Sequence, residues 1–344
     1  MLVTGHTGFK GAWLSLWLQA LGAEVSGVSH GVPTSPSLYE LARVSAHMQE
    51  LDADVRDAAA VAGAVAAARP EVVLHLAAQP MVRRSLREPA LTYAINVLGT
   101  ANVLDAVREQ GGVAAVVVVT SDKCYANDGA GTRRFVEGDP LGGEDPYSSS
   151  KACAELLTAA YRSSWFSGAG SAGLATARAG NVIGGGDWGE DRLLADALRA
   201  VERAEPLRVR NPAAVRPWQH VLSPLAGYLR LAEELGAGGE RAHAAARPWN
   251  FGPAAADERT VGEIVTRLVA LWDGELRAAQ DTDANPPEAG HLALDSSAAQ
   301  AGLQWRPLCG LDRGLELVVE WHRAQRGGED MRSVSLAQID ALGA

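Results

Sequence analysis

Cysteine is scarce in this chain. Cys124, Cys153 and Cys309 are an odd number at unrelated spacings, which excludes a disulfide framework and points to free thiols in a reducing, cytoplasmic setting. Cys and His nowhere stand at metal-ligand spacing, so no metal is expected. Apolar runs stop short of the ~18 residues of a membrane span. The N-terminus has no basic region leading into an apolar core, so a secretory signal is not expected either. Positive charge is in deficit: the net charge is −10, which argues against the basic field of a nucleic-acid binder. Local arginines remain available for an anionic ligand. No internal repeat is visible.

What is present is an ordinary globular composition, 47% apolar and 21% charged over 344 residues, enough for one large domain or two lobes. The chain opens on Met1–Thr4, then "GHTGFKG", then the amphipathic "AWLSLWLQALGAEV", and then "EVSGVS". Strand, glycine-rich turn, helix and second strand are the start of a βαβ unit. Gly5, Gly8 and Gly11 allow a tight turn and a close approach of backbone to a pyrophosphate at a helix N-terminus. An acid normally follows the second strand to hold a ribose 2′-hydroxyl. Here the residues are Val28-Ser29-His30-Gly31, with neither acid nor arginine, and NAD is favoured over NADP.

Further on, a helix is expected near Ser37–Ala46, a strand ending at Asp54-Val55, a helix over 57–68 and a strand in "EVVLHLAAQP". A carboxylate at Asp54 suits an adenine amine or a solvated loop. Ala77-Ala78 is small enough for a cofactor to lie against it, and Gln79 to Arg84 would line the crevice beyond the strand ends. Asn96, within the helix of "YAINVLGTANVLDAVREQ", reads as a satisfied core amide or as a tie between strand ends. The run "VVVVTSDKCY" reads as a buried strand. "PYSSSKACAELLTAAYR", with Pro146 at its entry, reads as a helix that places Tyr147 and Lys151 on one face, about 5–6 Å apart at Cβ. A cation beside a phenol lowers its pKa from about 10 toward neutrality, so Tyr147 is expected to accept a proton from a hydroxyl losing hydride. "GLATARAGNVIGGGD" gives a sixth strand and a loop. Beyond it stand short pieces at 192–203, "LRVRN", "RPWQHV" and "WNFG", helices at Thr260–Leu271 and Leu311–Arg326, a strand in "HLALD", and a final dozen residues expected to fray.

"TGHTGFKG", "HLAAQP", "NVLGT", "TSDKCY", "YSSSK", "RAGNVIGGGDW", "RPWQHV" and "WNFGP" occur in this order. Together they resemble the extended short-chain dehydrogenase/reductases that act on nucleotide sugars, from residue 1 to about 330. The resemblance implies an α/β, Rossmann-type doubly wound parallel sheet over 1–182, with returns near 215–250. A smaller mixed α/β substrate lobe would occupy 183–344. It further implies bound NAD, a nucleotide-sugar substrate such as CDP-glucose, a homodimer or dimer of dimers through 93–110 and 147–162, and 4,6-dehydration without net redox change. It places the cofactor against Gly5, Thr7, Gly8, Phe9, Gly11, Asp54, Val55, Leu76, Ala77, Ala78, Gln79, Asn96, Thr120, Tyr147, Lys151 and Ala179. The substrate falls against Gln79, Met81, Arg83, Asn181, Arg192, Arg210, Arg216 and His220, since guanidinium suits a diphosphate. Trp188 and Trp218 suit a base or sugar, although core packing is the expected role of most tryptophans.

In the implied chemistry Tyr147 takes the 4-hydroxyl proton, Lys151 keeps it ionisable and Ser121 bonds the same hydroxyl. Asp122 and Lys123 form the acid–base pair for loss of water across C5 and C6. Many related dehydratases carry Glu where this chain has Lys123. To act as a base Lys123 must fall from about 10.4 toward 7, roughly 4 kcal/mol of environment. The other reading makes Lys123 a salt-bridge partner that orients Asp122. An epimerase on the same scaffold would keep Tyr147 and Lys151 without that pair. A catalytically silent nucleotide-binding protein is the reading from a different class.

Overall fold

The computed structural model describes residues 1–127, 131–168, 170–281 and 290–343. Seven short strands form its main sheet: β1 (Leu2–Thr4), β2 (Ser26–Ser29), β3 (Gln49–Asp52), β4 (Val72–His75), β5 (Ala115–Val119), β6 (Gly173–Arg178) and β7 (Pro248–Asn250). All pair in parallel, in the order β7-β6-β5-β4-β1-β2-β3. The order reverses between β1 and β4, which opens a crevice at their carboxyl ends. This is the expected doubly wound parallel sheet.

Alternate residues of the strands feed two cores, as the two-residue period of a strand requires. On one face Val3, Leu74, Val117 and Ala175 pack against Trp13, Leu14 and Trp17 of helix α1 (Phe9–Ala20), and against residues from 222–236. On the other, Leu2, Val73, Val116 and Leu174 pack against α2 (Ala58–Ala68) and α3 (Gly99–Gln110). Burial on both faces explains why β5 is an unbroken Ala-Val-Val-Val-Val. Helix α4 (Pro146–Trp165) has Pro146 in its first turn, and the Asp145 carboxylate accepts from the Ser148 N–H at 3.0 Å. α5 (Leu222–Gly236), α6 (Leu311–Arg326) and α7 (Met331–Ala341) complete the frame.

Several expectations need correction. The helix expected at Ser37–Ala46 is two pieces, Leu38–Leu41 and Val44–His47, because Arg43 takes a left-handed φ of 47°. "RPWQHV" divides at Trp218: Val215–Pro217 pairs antiparallel with Glu258–Thr260, and Gln219–His220 pairs in parallel with Val182–Ile183. "HLALD" contributes only isolated bridges, at His291 and Leu294. The end of the chain is helical over Met331–Ala341 and tied down by the Trp321 indole, which donates to Ser335 at 2.9 Å. The continuous helical run Pro89–Gln110 is long and apolar enough to cross a membrane by composition. Here it is a core element with buried Asn96 and Thr100 bonded internally.

Beneath the carboxyl end of β5 lies a buried ion pair. Glu155 of α4 accepts from the Arg178 guanidinium of β6 at 2.8 Å, from Thr176 at 2.7 Å and from the Thr120 hydroxyl. Arg178 also donates to the Tyr125 hydroxyl at 2.8 Å, and Tyr125 donates to Asn250 of β7 at 2.7 Å. Removing one member of a buried pair strands the other charge at a cost of about 3–5 kcal/mol, whereas removing both is often close to neutral. Glu155→Gln is therefore expected to destabilise by that amount in denaturant titration. Glu155→Gln with Arg178→Met should regain most of the loss; a double variant no more stable than the single one would contradict the account.

Candidate active site

A cleft of about 1620 Å³ runs along the strand ends and on to Trp188, Arg192, Arg210 and Arg216. Sites for one small ligand are commonly about 300–1,000 Å³, so this cleft has room for a dinucleotide and a second molecule. Its floor is the glycine turn. Gly5 has φ 76°, and a Cβ there would lie 2.8 Å from the Ala77 nitrogen. At Gly11 a Cβ would lie 2.0 Å from the Gly5 carbonyl oxygen, so any side chain would wedge α1 off β1. The first turn of α1 carries neither an acid nor a side-chain cap, which leaves its N–H groups and dipole for an anion. These features fit the diphosphate of a dinucleotide.

The expected wall residues Thr7, Phe9, Asp54, Val55, Leu76, Ala77, Ala78, Gln79, Thr120 and Ala179 all line the cleft. Asp54 is already engaged: Arg56 donates to it through its backbone N–H at 2.9 Å and through its guanidinium, which holds the carboxyl below its usual range. After β2, His30 pairs with Asp52 at 3.2 Å. Asn96 stands behind the wall, not in it. Its amide oxygen accepts from the Gln79 N–H at 2.8 Å, and its amide nitrogen donates to the Gln79 carbonyl at 3.1 Å and to Ser150 at 2.9 Å. The Gln79 side chain is spent on Met81 and Thr92, so it shapes the wall more than it reaches across the cleft.

Ser121, Asp122, Lys123, Tyr147 and Lys151 converge at the β5 end of the cleft. The Ser121 hydroxyl donates to Asp122 at 3.0 Å and accepts from the Lys123 N–H at 3.2 Å. The second Asp122 oxygen has no hydrogen-bond partner among the described residues, and the missing side chain of Gly180 makes room for it, since a Cβ there would lie 1.7 Å away. Burial pushes the Asp122 carboxyl up against the pull of Lys123 and so favours the protonated acid.

The expected lowering of Tyr147 is not found in the ligand-free chain. Burial raises the phenol to about 12, and the Lys151 ammonium donates instead to the Val119 carbonyl at 3.2 Å. Burial also brings Lys151 down to about 8, with Glu155 opposing.

Across the cleft from the glycine turn, each of three arginines has an acidic partner. Arg192 donates to Asp187 at 2.6 Å, Arg210 donates to Asp191 at 2.9 Å, and Arg83 comes within 3.5 Å of the same Asp191. Arg216 is buried and donates to the Val215 carbonyl at 2.9 Å. Met81 and Asn181 line the cleft too, as do Trp188 and Trp218. His220 does not. It is 1% exposed, packs edge-on to Trp13, and burial takes its imidazole down to about 3, so it is a neutral core residue rather than a phosphate ligand.

Lys10 was not anticipated. It lines the cleft, and burial with the neighbouring Arg192 lowers it to about 7. The available signal was scarcity. Of 31 Lys and Arg residues only Lys10, Lys123 and Lys151 are lysines, and all three line this cleft. Lysine gives up a proton far more readily than arginine.

Comparison with known proteins agrees with this geometry. The family model described as "NAD dependent epimerase/dehydratase family" matches residues 1–244. A CDP-glucose 4,6-dehydratase of Salmonella typhimurium is 46% identical, over 98% of this chain and 94% of its own. A dTDP-glucose 4,6-dehydratase of Mycolicibacterium smegmatis is 28% identical over 94% of this chain and 93% of its own. Among solved structures, UDP-glucose 4-epimerase of Thermus thermophilus in complex with NAD superposes with a TM-score of 0.79 at 25% identity, covering 94% of this chain and 98% of that one. Glycine cradle, strand-end Ser-Asp-Lys and helical Tyr-x-x-x-Lys thus stand in one cleft, and the chain belongs to the NAD dependent epimerase/dehydratase family.

Proposed function

We propose that the chain is an NAD-dependent CDP-glucose 4,6-dehydratase, a hydro-lyase. The observation that carries the reading is a buried carboxyl, Asp122, whose hold on a proton burial strengthens and which accepts from the Ser121 hydroxyl at 3.0 Å, in the same cleft as Tyr147. An epimerase needs a base at the 4-hydroxyl but no acid for a leaving group. The 46% identity to a CDP-glucose 4,6-dehydratase supports the choice of cytidine.

NAD bound in the glycine cradle supplies the hydride acceptor, the hydride donor and a positive charge. The chain does the rest. Tyr147 accepts the 4-hydroxyl proton while Lys151 stabilises the phenolate. The resulting 4-ketone acidifies the C5 proton, which the Lys123 amine removes, and Asp122 protonates the departing 6-hydroxyl. Arg83, Arg192, Arg210 and Arg216 hold the diphosphate, exchanging the Asp187 and Asp191 carboxylates for phosphate oxygens. A homodimer through 93–110 and 147–162 is part of the proposal: Leu98 and Leu156 on those helices are 60% exposed, and Trp165 at the end of α4 is 50% exposed. The free thiols suit a cytoplasmic enzyme.

The deciding experiment incubates purified protein with CDP-glucose, with and without added NAD, and follows sugar mass and ketone. Loss of one water with a new 4-keto sugar is expected. An unchanged mass with a different hexose would favour an epimerase, and turnover only of a GDP-, UDP- or dTDP-sugar would overturn the cytidine assignment. Asp122→Asn is expected to oxidise C4 yet lose water at least ~10²-fold more slowly, so reduced cofactor builds up on the enzyme. Lys123→Ala should slow elimination by a similar factor; little loss would reduce Lys123 to a charge that steers Asp122.

A further inference from the structure

The cofactor cradle holds a charge that the folding of the cradle does not explain. Lys10 stands between Gly8 and Gly11 in the first turn of α1, where a cation opposes the helix dipole instead of complementing it. It lines the cleft, yet among the described residues its ammonium has no hydrogen-bond or ion-pair partner. Arg192 and Arg210 are different, since Asp187 and Asp191 answer them. An ammonium carries three donors, and leaving them unanswered away from water is costly. Its counterpart therefore belongs to a ligand of the cleft.

The direction of the side chain narrows the choice. The ammonium lies 6.0 Å from the centre of the Tyr228 ring. Tyr228 is fully buried on α5, the helix that packs against β5 and β6. The Lys10 side chain thus runs from the end of β1 toward the β5 and β6 side of the sheet, away from β2 and β3. In a doubly wound sheet the adenosine ribose is held after the second strand. The half of the dinucleotide that exchanges hydride then falls on the other side of the crevice, with Ser121, Tyr147 and Lys151. The charged groups acting on Lys10 there are Asp122, Asp187, Lys151 and Arg192. Two acids and two further cations leave the Lys10 charge uncancelled.

We propose that Lys10 sets the redox poise of bound NAD: its charge disfavours the oxidised nicotinamide, which is positive, relative to the reduced ring, which is neutral. The bound cofactor is then a stronger oxidant. In the oxidation the C4–H bond breaks with its electron pair going to the cofactor, and the 4-hydroxyl proton goes to Tyr147. The later return of hydride to C6 restores NAD, so no other oxidant or reductant is involved. Hydride transfer from a secondary alcohol to NAD favours the alcohol. A cation that favours the reduced cofactor keeps more of the sugar as the ketone, the form that elimination consumes. The return step tolerates the same charge, because reduction of an alkene conjugated to a ketone is strongly downhill.

The inference rests on NAD binding, and its consequence for the sugar rests on the proposed dehydration. Wild-type protein and Lys10→Met are equilibrated with mixtures of NAD and NADH at about pH 6, where Lys10 is charged because burial and Arg192 lower it only to about 7. Bound NADH is read from its fluorescence excited through Trp188 and Trp218, which line the cleft. The ratio of the NAD to the NADH dissociation constant is expected to fall at least ~10-fold in Lys10→Met. Lys10→Gln should show the same fall and Lys10→Arg the wild-type ratio; if Lys10→Met does not fold, Lys10→Gln decides. An unchanged ratio overturns the proposal, and if both constants rise together Lys10 is a ligand of the diphosphate that the two forms share. No turnover is needed, so this result stands even where the dehydratase reading falls. Where that reading holds, adding Lys10→Met to Asp122→Asn should lower the ratio of reduced to oxidised cofactor reached with CDP-glucose by a similar factor. An unchanged ratio there overturns the consequence for the sugar.

Discussion

The structure depends on one buried ion pair, Glu155 with Arg178. Two charges at that depth are costly unless every lone pair and N–H is answered. Here the carboxylate takes three donors, and the guanidinium reaches a hydroxyl and the Glu137 carbonyl, which leaves only its Nε without a hydrogen-bond partner among the described residues. Those partners come from four separate places: the end of β5, α4, β6 and the loop before α4. Through Tyr125 the network extends to Asn250 on β7, and from there to the Phe135 and Asp295 carbonyls. Every residue given a chemical role around the sugar, from Ser121 to Lys151, is carried by the end of β5 or by α4. The ion pair fixes those two elements against each other. Its negative member lies one helical turn below Lys151 and opposes the loss of that ammonium to burial.

Burial is the dominant electrostatic fact of the cleft. It raises Tyr147 and Asp122 and lowers Lys10 and Lys151, in each case toward the neutral form. Such a pattern suits a site whose charges are answered by charged ligands, and in the proposed function the acidic partners of Arg83, Arg192 and Arg210 give way to a diphosphate.

Much of this was legible in the sequence, for definable reasons. The glycine turn, the β-branched strand ending in Thr120-Ser121-Asp122-Lys123 and the Tyr147-Lys151 pair are local patterns in which spacing alone fixes which side chains share a face. The doubly wound parallel sheet followed from the alternation of such units, but its order and its seventh strand did not. What spacing cannot report is depth. Asn96 and His220 sit in motifs that border the cleft, yet both face inward, where Gln79 and Trp13 take up their contacts. Glu155 and Arg178 are far apart in sequence, and nothing local marks either as charged and buried. The helix Leu222–Gly236 supports β5 and β6 but follows "RPWQHV" without a break, and the sequence reading passed over it. Lys10 was hidden by its motif, since the glycines around it absorbed the interpretation. The depressed phenol failed because Tyr-x-x-x-Lys spacing counts charge and ignores desolvation.

The placement of Ser121 bears on how one scaffold can serve two chemistries. Oxidation at C4 requires a base, and in the proposed mechanism Tyr147 supplies it whether the ketone is afterwards reduced from the other face or carried into elimination. Elimination adds one demand, an acid within reach of a leaving group, and the acid proposed here is Asp122, the residue next to Ser121 and its hydrogen-bond acceptor. Because the two are neighbours on one strand end, the acid inherits the serine's rigid placement, and the cost of holding it is already covered by the network beneath. Gly180 supplies the remaining condition: any side chain there would displace the Asp122 carboxyl. A change from carbonyl chemistry to dehydration on this frame is thus confined to the strand end and the glycine facing it, and leaves the cofactor cradle and the tyrosine–lysine pair untouched.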